Sequence, residues 1–428
     1  MKKLMLLLGL IFVLSGCSLF EKEQPAPVIP EQAPSPQVWG EMPSEPAQAA
    51  EVISALEETP APTPEPTPEP LPDFEAVQVQ GPMVQLQYPD AESRSSAPYL
   101  EVESLLIDDR TYVRASDLSK VYPWFRVEEN EKGVSFSTMW DTVTDSYGEA
   151  VMYDGTRLEG LDNAVAAVET AEGTEYWVPL RAVSGAVGLY LLWDEAAQVS
   201  YVAQLINTSL IAQGVQVPTL MYHEVGDELW GLTSLFVSPS NMRAQLQYLQ
   251  DNGYDPIWFS DLTHLEDYDK PVLLTFDDGY IGNYTNLLPL LQEFNMKATV
   301  FIIIEKVGNQ YYFDEAQALE LANSGLVSVQ SHTVTHRELA MLSTSEQNTE
   351  LYESQLAVAR ITGRTPYVIC YPSGSFNGTT VDLGEEYYTF GLKMNGGRWT
   401  TDNDDLLTIE RHFVSRSTGL SSFAGLVS

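Results

Sequence analysis

Val272-Leu273-Leu274-Thr275-Phe276-Asp277-Asp278-Gly279 is an apolar run that breaks without transition into two carboxylates and a glycine. That is the pattern of a buried parallel strand whose C-terminal tip opens into a site. Leu326-Val327-Ser328-Val329 does the same ahead of Ser331-His332-Thr333-Val334-Thr335-His336. In barrels and open sheets of parallel strands the C-terminal tips converge on one mouth, so these two tips can share a cavity. Two imidazoles and one carboxylate there would make a facial site with coordination positions left open for water and substrate. Taken singly the pieces are weak, since Asp-Asp-Gly is also an ordinary turn and His-x-x-x-His arises on any polar helix face. The chain has only five histidines, His223, His264, His332, His336 and His412, so a pair at this spacing is informative.

Four stretches carry a family likeness: Leu220-Met221-Tyr222-His223-Glu224-Val225, Leu274-Thr275-Phe276-Asp277-Asp278-Gly279-Tyr280, Lys297-Ala298-Thr299-Val300-Phe301, and Ser331-His332 through His336. Through them the segment from about Val217 to Ser428 resembles the polysaccharide deacetylase family, the NodB-homology domains. The resemblance implies an α/β fold, a distorted (β/α) barrel of about seven strands, small for its class. It also implies Asp277 as catalytic base, and Asp278, His332 and His336 as ligands of a divalent metal ion, zinc first, with cobalt, nickel or manganese as alternatives.

The chemistry is coherent with those roles. Deacetylation needs a water nucleophile near neutral pH, and a bound divalent cation lowers the pKa of that water while polarising the amide carbonyl. Two bare neighbouring carboxylates would raise one another's pKa, whereas a cation keeps both ionised.

A third strand, Tyr367-Val368-Ile369-Cys370, runs into Tyr371-Pro372-Ser373-Gly374. The family carries an aromatic-proline-glycine turn here whose N–H groups resemble an oxyanion hole, which makes the amide of Tyr371 the candidate donor. Arg364-Thr365-Pro366-Tyr367 resembles the family's arginine signature but precedes the strand, whereas the signature follows one. On the better alignment the arginine that braces the base is Cys370, which leaves the orientation of Asp277 open. A branch of the family acting on exported polymers resembles this chain in having a small residue there.

For the general acid, Leu407-Thr408-Ile409-Glu410-Arg411-His412-Phe413-Val414 reads as a last strand offering Arg411 or His412, only one of which can face the barrel. His223 is a further candidate, as second shell or acid. Trp399 is either a cleft wall or core, and His264 reads as surface. Helices are expected over Asn241 to Asn252, Tyr284 to Phe294, Glu315 to Ser324 and Glu346 to Ile361, the last opened by a capping box at Ser343 and Glu346.

Upstream, residues 1–16 read as a signal peptide: Lys2 and Lys3 precede an apolar run from Leu4 to Leu14 that is too short to span a bilayer. Leu14-Ser15-Gly16-Cys17 resembles a bacterial lipobox, which makes Cys17 the lipidated first residue of the mature chain. Residues 17–76 are rich in proline, alanine and glutamate, as in Thr59-Pro60-Ala61-Pro62-Thr63-Pro64, and read as a disordered tether. In polyproline form it reaches roughly 150–180 Å.

Residues 77–203 form a second unit, a small α+β domain with an internal repeat, and 204–428 form the deacetylase domain. Val113 to Phe136 and Val178 to Tyr201 align without gaps, matching Leu118 with Val183 and Phe125 with Tyr190. Arg110-Thr111-Tyr112-Val113 and Trp177-Val178-Pro179-Leu180-Arg181 resemble the copper amine oxidase N-terminal-like domain. Copper is not expected, because the region has no histidine or cysteine. It reads as a spacer, with binding to wall polymer as the alternative.

The formal net charge of −38 opposes phosphate-backbone binding, so no nucleic-acid partner is expected. Cys17 and Cys370 are the only cysteines, and once Cys17 carries lipid no intramolecular disulfide remains. The sum is a lipid-anchored, extracytoplasmic hydrolase removing N-acetyl groups from a polysaccharide, of the peptidoglycan or poly-N-acetylglucosamine type. The rivals are an O-acetyl polysaccharide esterase and a non-catalytic polysaccharide-binding protein that keeps the metal site. Oligomeric state is not legible. Mass spectrometry of the mature N-terminus is expected to find Cys17 acylated and globomycin to block its processing; an unmodified Cys17 would refute the anchor.

Overall fold

A computed structural model describes residues 79–428 except 108, 131–132, 142–145, 148–150, 153–165, 171–172, 395 and 403–404. The signal segment, Cys17 and the tether lie outside the described residues. No helix among the described residues is long and apolar enough to cross a membrane.

Eight strands of the C-terminal half form one sheet: β1 (Thr219–Tyr222), β2 (Asp255–Ile257), β3 (Pro271–Phe276), β4 (Ala298–Ile302), β5 (Val327–Ser331), β6 (Val368–Cys370), β7 (Phe390–Leu392) and β8 (His412–Phe413). Seven run in the order β7-β6-β5-β4-β3-β1-β8, β2 pairs with the start of β3, and every pairing is parallel. Each position of β3, β4 and β5 is buried. Strands covered on both faces read as unbroken apolar runs, which is why this sheet was visible without alternation.

The last strand is shorter than the run Leu407 to Val414 suggests. Ile409 accepts from Lys393 N–H at 3.0 Å and donates to Gly391 O at 2.8 Å, beside β7, whereas His412 and Phe413 pair with β1. The segment steps from one edge of the sheet to the other and closes the barrel, so it cannot hold a single long ladder.

Six helices alternate with these strands: α1 (Pro239–Asp251), α2 (Leu288–Phe294), α3 (Glu315–Asn323), α4 (Thr344–Thr362), α5 (Gly378–Tyr387) and α6 (Leu420–Val427). Ser343 and Glu346 cap α4 reciprocally, and Gly363 ends it in the left-handed region at φ 68°. The helix expected from Tyr284 starts instead as a π turn, Asn283–Leu287, before α2. Pro289, with no N–H, interrupts the α ladder there.

The two repeat copies share one plan. Each is a strand, a seven-residue helix and a hairpin, with helices at Ala115–Val121 and Leu180–Ala186. Leu118 and Val121 of the first helix and Val183 of the second meet in one core.

This module docks on α4 and the loop after it. Leu192 and Tyr201 pack on Leu356 and Ala359, and Asp194 takes a two-pronged ion pair from Arg360. Tyr352 donates to Trp193 O at 2.7 Å and Tyr190 to Gln355 Oε1 at 2.8 Å. Glu92 enters between the units and accepts from Ser260 and Ser328 hydroxyls and from Tyr367 OH. Burial raises its pKa against those three donors. Arg364, the arginine that precedes the strand, is 6 % exposed and donates to Ala91 O at 2.9 Å, Arg94 O at 2.7 Å, Thr362 O at 2.8 Å and Asn323 Oδ1 at 3.1 Å. It is an interface residue. Arg364→Ala strands several of those acceptors and is expected to lower the unfolding free energy by about 3 kcal/mol, read from the denaturant midpoint. Lysine at 364 cannot replace the fork and should not restore it.

Candidate active site

The tips of β3 and β5 do share a mouth. Asp278, two residues past the end of β3, has Oδ1 3.4 Å from His332 Nε2 and 3.5 Å from His336 Nε2. These separations are long for charge-assisted hydrogen bonds, which close to about 2.7–2.9 Å. They match the edge of a tetrahedral site, about 3.4 Å for donor bonds of about 2.1 Å. The Asp278, His332 and His336 side chains therefore fit one divalent ion. His332 Nδ1 lies 2.7 Å from Cys370 O, an acceptor that places a proton on that nitrogen and leaves Nε2 facing Asp278. Burial alone would lower the His332 pKa, but Cys370 and Asp278 outweigh it and raise it, so ligation requires an ion to displace the Nε2 proton. Burial, with His332 beside it, pushes His336 down to about 4, which keeps its ring neutral and able to ligate.

The loops bearing these ligands are strained and braced. Asp278, Thr333 and His336 hold φ of 76°, 66° and 62°, values that non-glycine residues rarely adopt. Glu350 on α4, 2 % exposed, accepts Val334 N–H and Thr335 N–H, both at 2.9 Å, and fixes the turn between the two histidines. Behind the other loop Glu224 accepts Gly282 N–H, and burial pushes its carboxyl up to about 7. Gly282 has to be glycine, because a Cβ would fall on the Glu224 carboxylate. Neither glutamate was singled out from sequence; a Glu inside a helix or after a strand carries no signal of such a partner.

Asp277 is held differently. Arg411 donates Nη1 to Oδ1 and Nη2 to Oδ2, both at 2.7 Å, and both side chains are buried. Burial alone would raise the Asp277 pKa; the guanidinium outweighs it and holds the carboxyl well below the usual carboxylate range. Arg411 also donates to Thr275 Oγ1 at 3.0 Å and to Cys370 Sγ at 3.1 Å. The brace expected at position 370 thus comes from the closing segment, across the space that a small Cys370 side chain leaves. Cys370 is fully buried and burial raises its pKa, which makes it an inert thiol. Asp277, His332 and Cys370 also cluster, but the guanidinium already lies against the carboxylate and the sulfur.

Two expectations need correction. His412 does not face the barrel: strand alternation turns Arg411 inward and His412 outward, where its charged neighbours are Arg398 and Glu410. Arg411, buried against Asp277 with its pKa raised, holds its protons too tightly to serve as a general acid. The Tyr371 amide is also spent, donating to Leu392 O at 3.1 Å because the β6–β7 pairing runs one residue further. Pro372 has no N–H, and the Gly374 and Ser375 amides donate to Tyr371 O and Pro372 O. Among the described hydrogen bonds of this turn, Ser373 N–H is the one donor without an acceptor, and its φ of 55° sets it apart from a regular turn.

His223 is where an acid could be. It is 7 % exposed, feels Asp277 and Asp278, and its buried Nδ1 has no partner. Burial lowers its pKa, against the pull of the two carboxylates. His264 is exposed and Trp399 lies in the core.

A parallel barrel with an imidazole–carboxylate triad and a second, ion-paired carboxylate at its strand tips has the residues that hydrolysis at one divalent ion requires. Residues 265–389 match the sequence profile described as polysaccharide deacetylase. YxkH of Bacillus subtilis, named provisionally as a polysaccharide deacetylase, is 31% identical over 218 residues, which are 50% of this chain and 76% of that protein. The poly-beta-1,6-N-acetyl-D-glucosamine N-deacetylase of Escherichia coli is 32% identical over 134 residues, 27% of this chain and only 20% of that protein. Among solved structures, the Streptococcus pyogenes deacetylase PplD in complex with acetate is 26% identical, with a TM-score of 0.47, over 50% of this chain and 99% of that one. The chain belongs to the polysaccharide deacetylase family, hydrolases of carbon–nitrogen bonds.

Elemental analysis of purified protein reloaded with zinc is expected to give one ion per chain for the native protein and for Asp277→Asn, and none for Asp278→Asn. Equal loading of the two variants would refute the separation of ligand from base.

Proposed function

We propose that the chain is a metal-dependent deacetylase of an N-acetylated polysaccharide outside the cytoplasm, peptidoglycan or poly-N-acetylglucosamine in type, held to the membrane through Cys17. The reading rests above all on Asp277, an ionised carboxylate fixed by Arg411 beside, but not within, the ion-binding triad. The names of the relatives support the acetamido substrate. Asp278, His332 and His336 would hold the ion, zinc by preference because two imidazoles and one carboxylate suit it, with cobalt, nickel or manganese able to replace it. When bound, the ion supplies Lewis acidity toward the acetamide carbonyl and raises the acidity of water.

Asp277 takes the proton of the attacking water on a lone pair that Arg411 does not use. The guanidinium makes this carboxylate a weak base, but it stays ionised and pointed. The water oxygen bonds to the carbonyl carbon, and Ser373 N–H is the donor offered to the oxyanion that forms there. The C–N bond then breaks, acetate leaves, and the sugar nitrogen takes up the proton that Asp277 received from the water, with neutral His223, whose Nδ1 has no partner, as the candidate relay. The rival reading, a binding protein without turnover, draws on the absence of an arginine at 370 and on the open assignment of the acid; Arg411 against Asp277 speaks against the first of these.

Acetate release from oligomers of N-acetylglucosamine and from purified wall is expected with the native protein, and its loss with chelator. Asp277→Asn should lower it by about a hundred- to ten-thousand-fold while the ion is retained. Release from O-acetylated xylan alone would replace this reading with the esterase, and metal-dependent binding of polymer without acetate would replace it with the binding protein.

A further inference from the structure

Beside the Asp277–Asp278 loop stands a cluster of aromatic rings that the chemistry above does not use. Trp230 stacks on Tyr311 with centroids 4.4 Å apart and planes at 17°, and meets Phe236 and Tyr280 edge-on at 5.3 and 4.9 Å. Tyr280 packs on Tyr312 at 5.0 Å and stands two residues after Asp278 in the chain. The rings thus run from the metal-ligating carboxylate outward to Tyr311.

Tyr311 is unlike the others. It is 42% exposed, and its backbone has φ 75°, a conformation that non-glycine residues rarely adopt. The strained residue is held from both sides: Ile281 N–H donates to Tyr311 O at 2.8 Å, and Phe313 N–H to Gly279 O at 3.3 Å. Tyr280 and Tyr312 form an antiparallel bridge between those bonds. The segment carrying Tyr311 is therefore stitched to the residues that follow Asp278, and its ring cannot drift relative to the site. One face lies on Trp230, and no ring or cation covers the other among the described contacts. A large exposed aromatic, rigidly backed and kept in an unfavourable backbone state beside a catalytic centre, has the features of a ligand contact.

Pyranose rings present C–H faces that lie flat on aromatic rings while their hydroxyls stay in water, and a site for a polymer must hold sugars beyond the one that reacts. We propose that Tyr311, backed by Trp230, is a stacking platform for a neighbouring sugar ring of the polysaccharide, so that the enzyme selects chains over single sugars. This rests on the deacetylase reading and assigns part of its substrate recognition.

The test uses the full chain and N-acetylglucosamine oligomers from the disaccharide to the hexasaccharide. Tyr311→Gly removes the ring and relieves the backbone, so it should fold at least as well as the native protein. Its kcat/KM is expected to fall about tenfold on the hexasaccharide, mostly through KM, and progressively less on shorter oligomers. Tyr311→Phe should restore it, since the ring and not the hydroxyl does the stacking, and Trp230→Ala should follow Tyr311→Gly. A loss equal at every length, or no loss, overturns the platform. Calorimetric binding of the hexasaccharide to native protein and Tyr311→Gly decides the same question without turnover: weaker binding by the variant upholds the platform and equal binding overturns it. Failure of the native protein to release acetate would count against the deacetylase reading alone.

Discussion

The ion pair between Asp277 and Arg411 is the constraint around which the rest is arranged. Removing two charges from water costs several kcal/mol per ion, and two parallel 2.7 Å bonds offset it only if both side chains arrive in register. Asp277 arrives on β3, in the middle of the sheet, and Arg411 on the segment that closes the barrel. A slip in that segment would leave a buried guanidinium unpaired, so closure of the barrel and orientation of the Asp277 carboxylate are enforced by the same bonds. Cys370 belongs to this arrangement through its size, because its small side chain leaves space for an arginine reaching across from the other edge.

The ligand side of the site follows a different logic. Asp278, Thr333 and His336 adopt backbone conformations that isolated residues avoid, and Ser373 and Tyr311 do the same around the rim. Such strain persists where surrounding structure over-determines it. Here Glu350, from α4, and Glu224, behind the Asp278 loop, supply the fixed acceptors. The helix that steadies the histidine turn also carries Gln355, Leu356, Ala359 and Arg360 at the docked repeat module. One element thus faces the site with one part of its surface and the neighbouring unit with another. The repeat module thus packs on the same helix that holds the histidine turn.

Much of this was readable from residues alone. The apolar run of β3, the run ahead of His332 that becomes β5, the polar side chains at their tips and the capping box of α4 are local patterns, and the structure has them where the pattern placed them. The repeat was visible because equal spacing of like residues requires no knowledge of the fold. Less was readable at the last strand, where Arg411 and His412 differ by a single step of alternation, and at Tyr371, whose amide looks available until the neighbouring strand is known.

The sequence by itself determined the kind of chemistry: two adjacent carboxylates, a spaced histidine pair and the strands that end in them, because these depend on periodicity and neighbouring residues. Only the tertiary structure decided which groups serve which. It gave the brace of Asp277 to Arg411, turned His412 away, brought His223 near, and set Tyr311 on Trp230. These are contacts between residues far apart in the chain, fixed by where the barrel closes, and no local pattern encodes that distance.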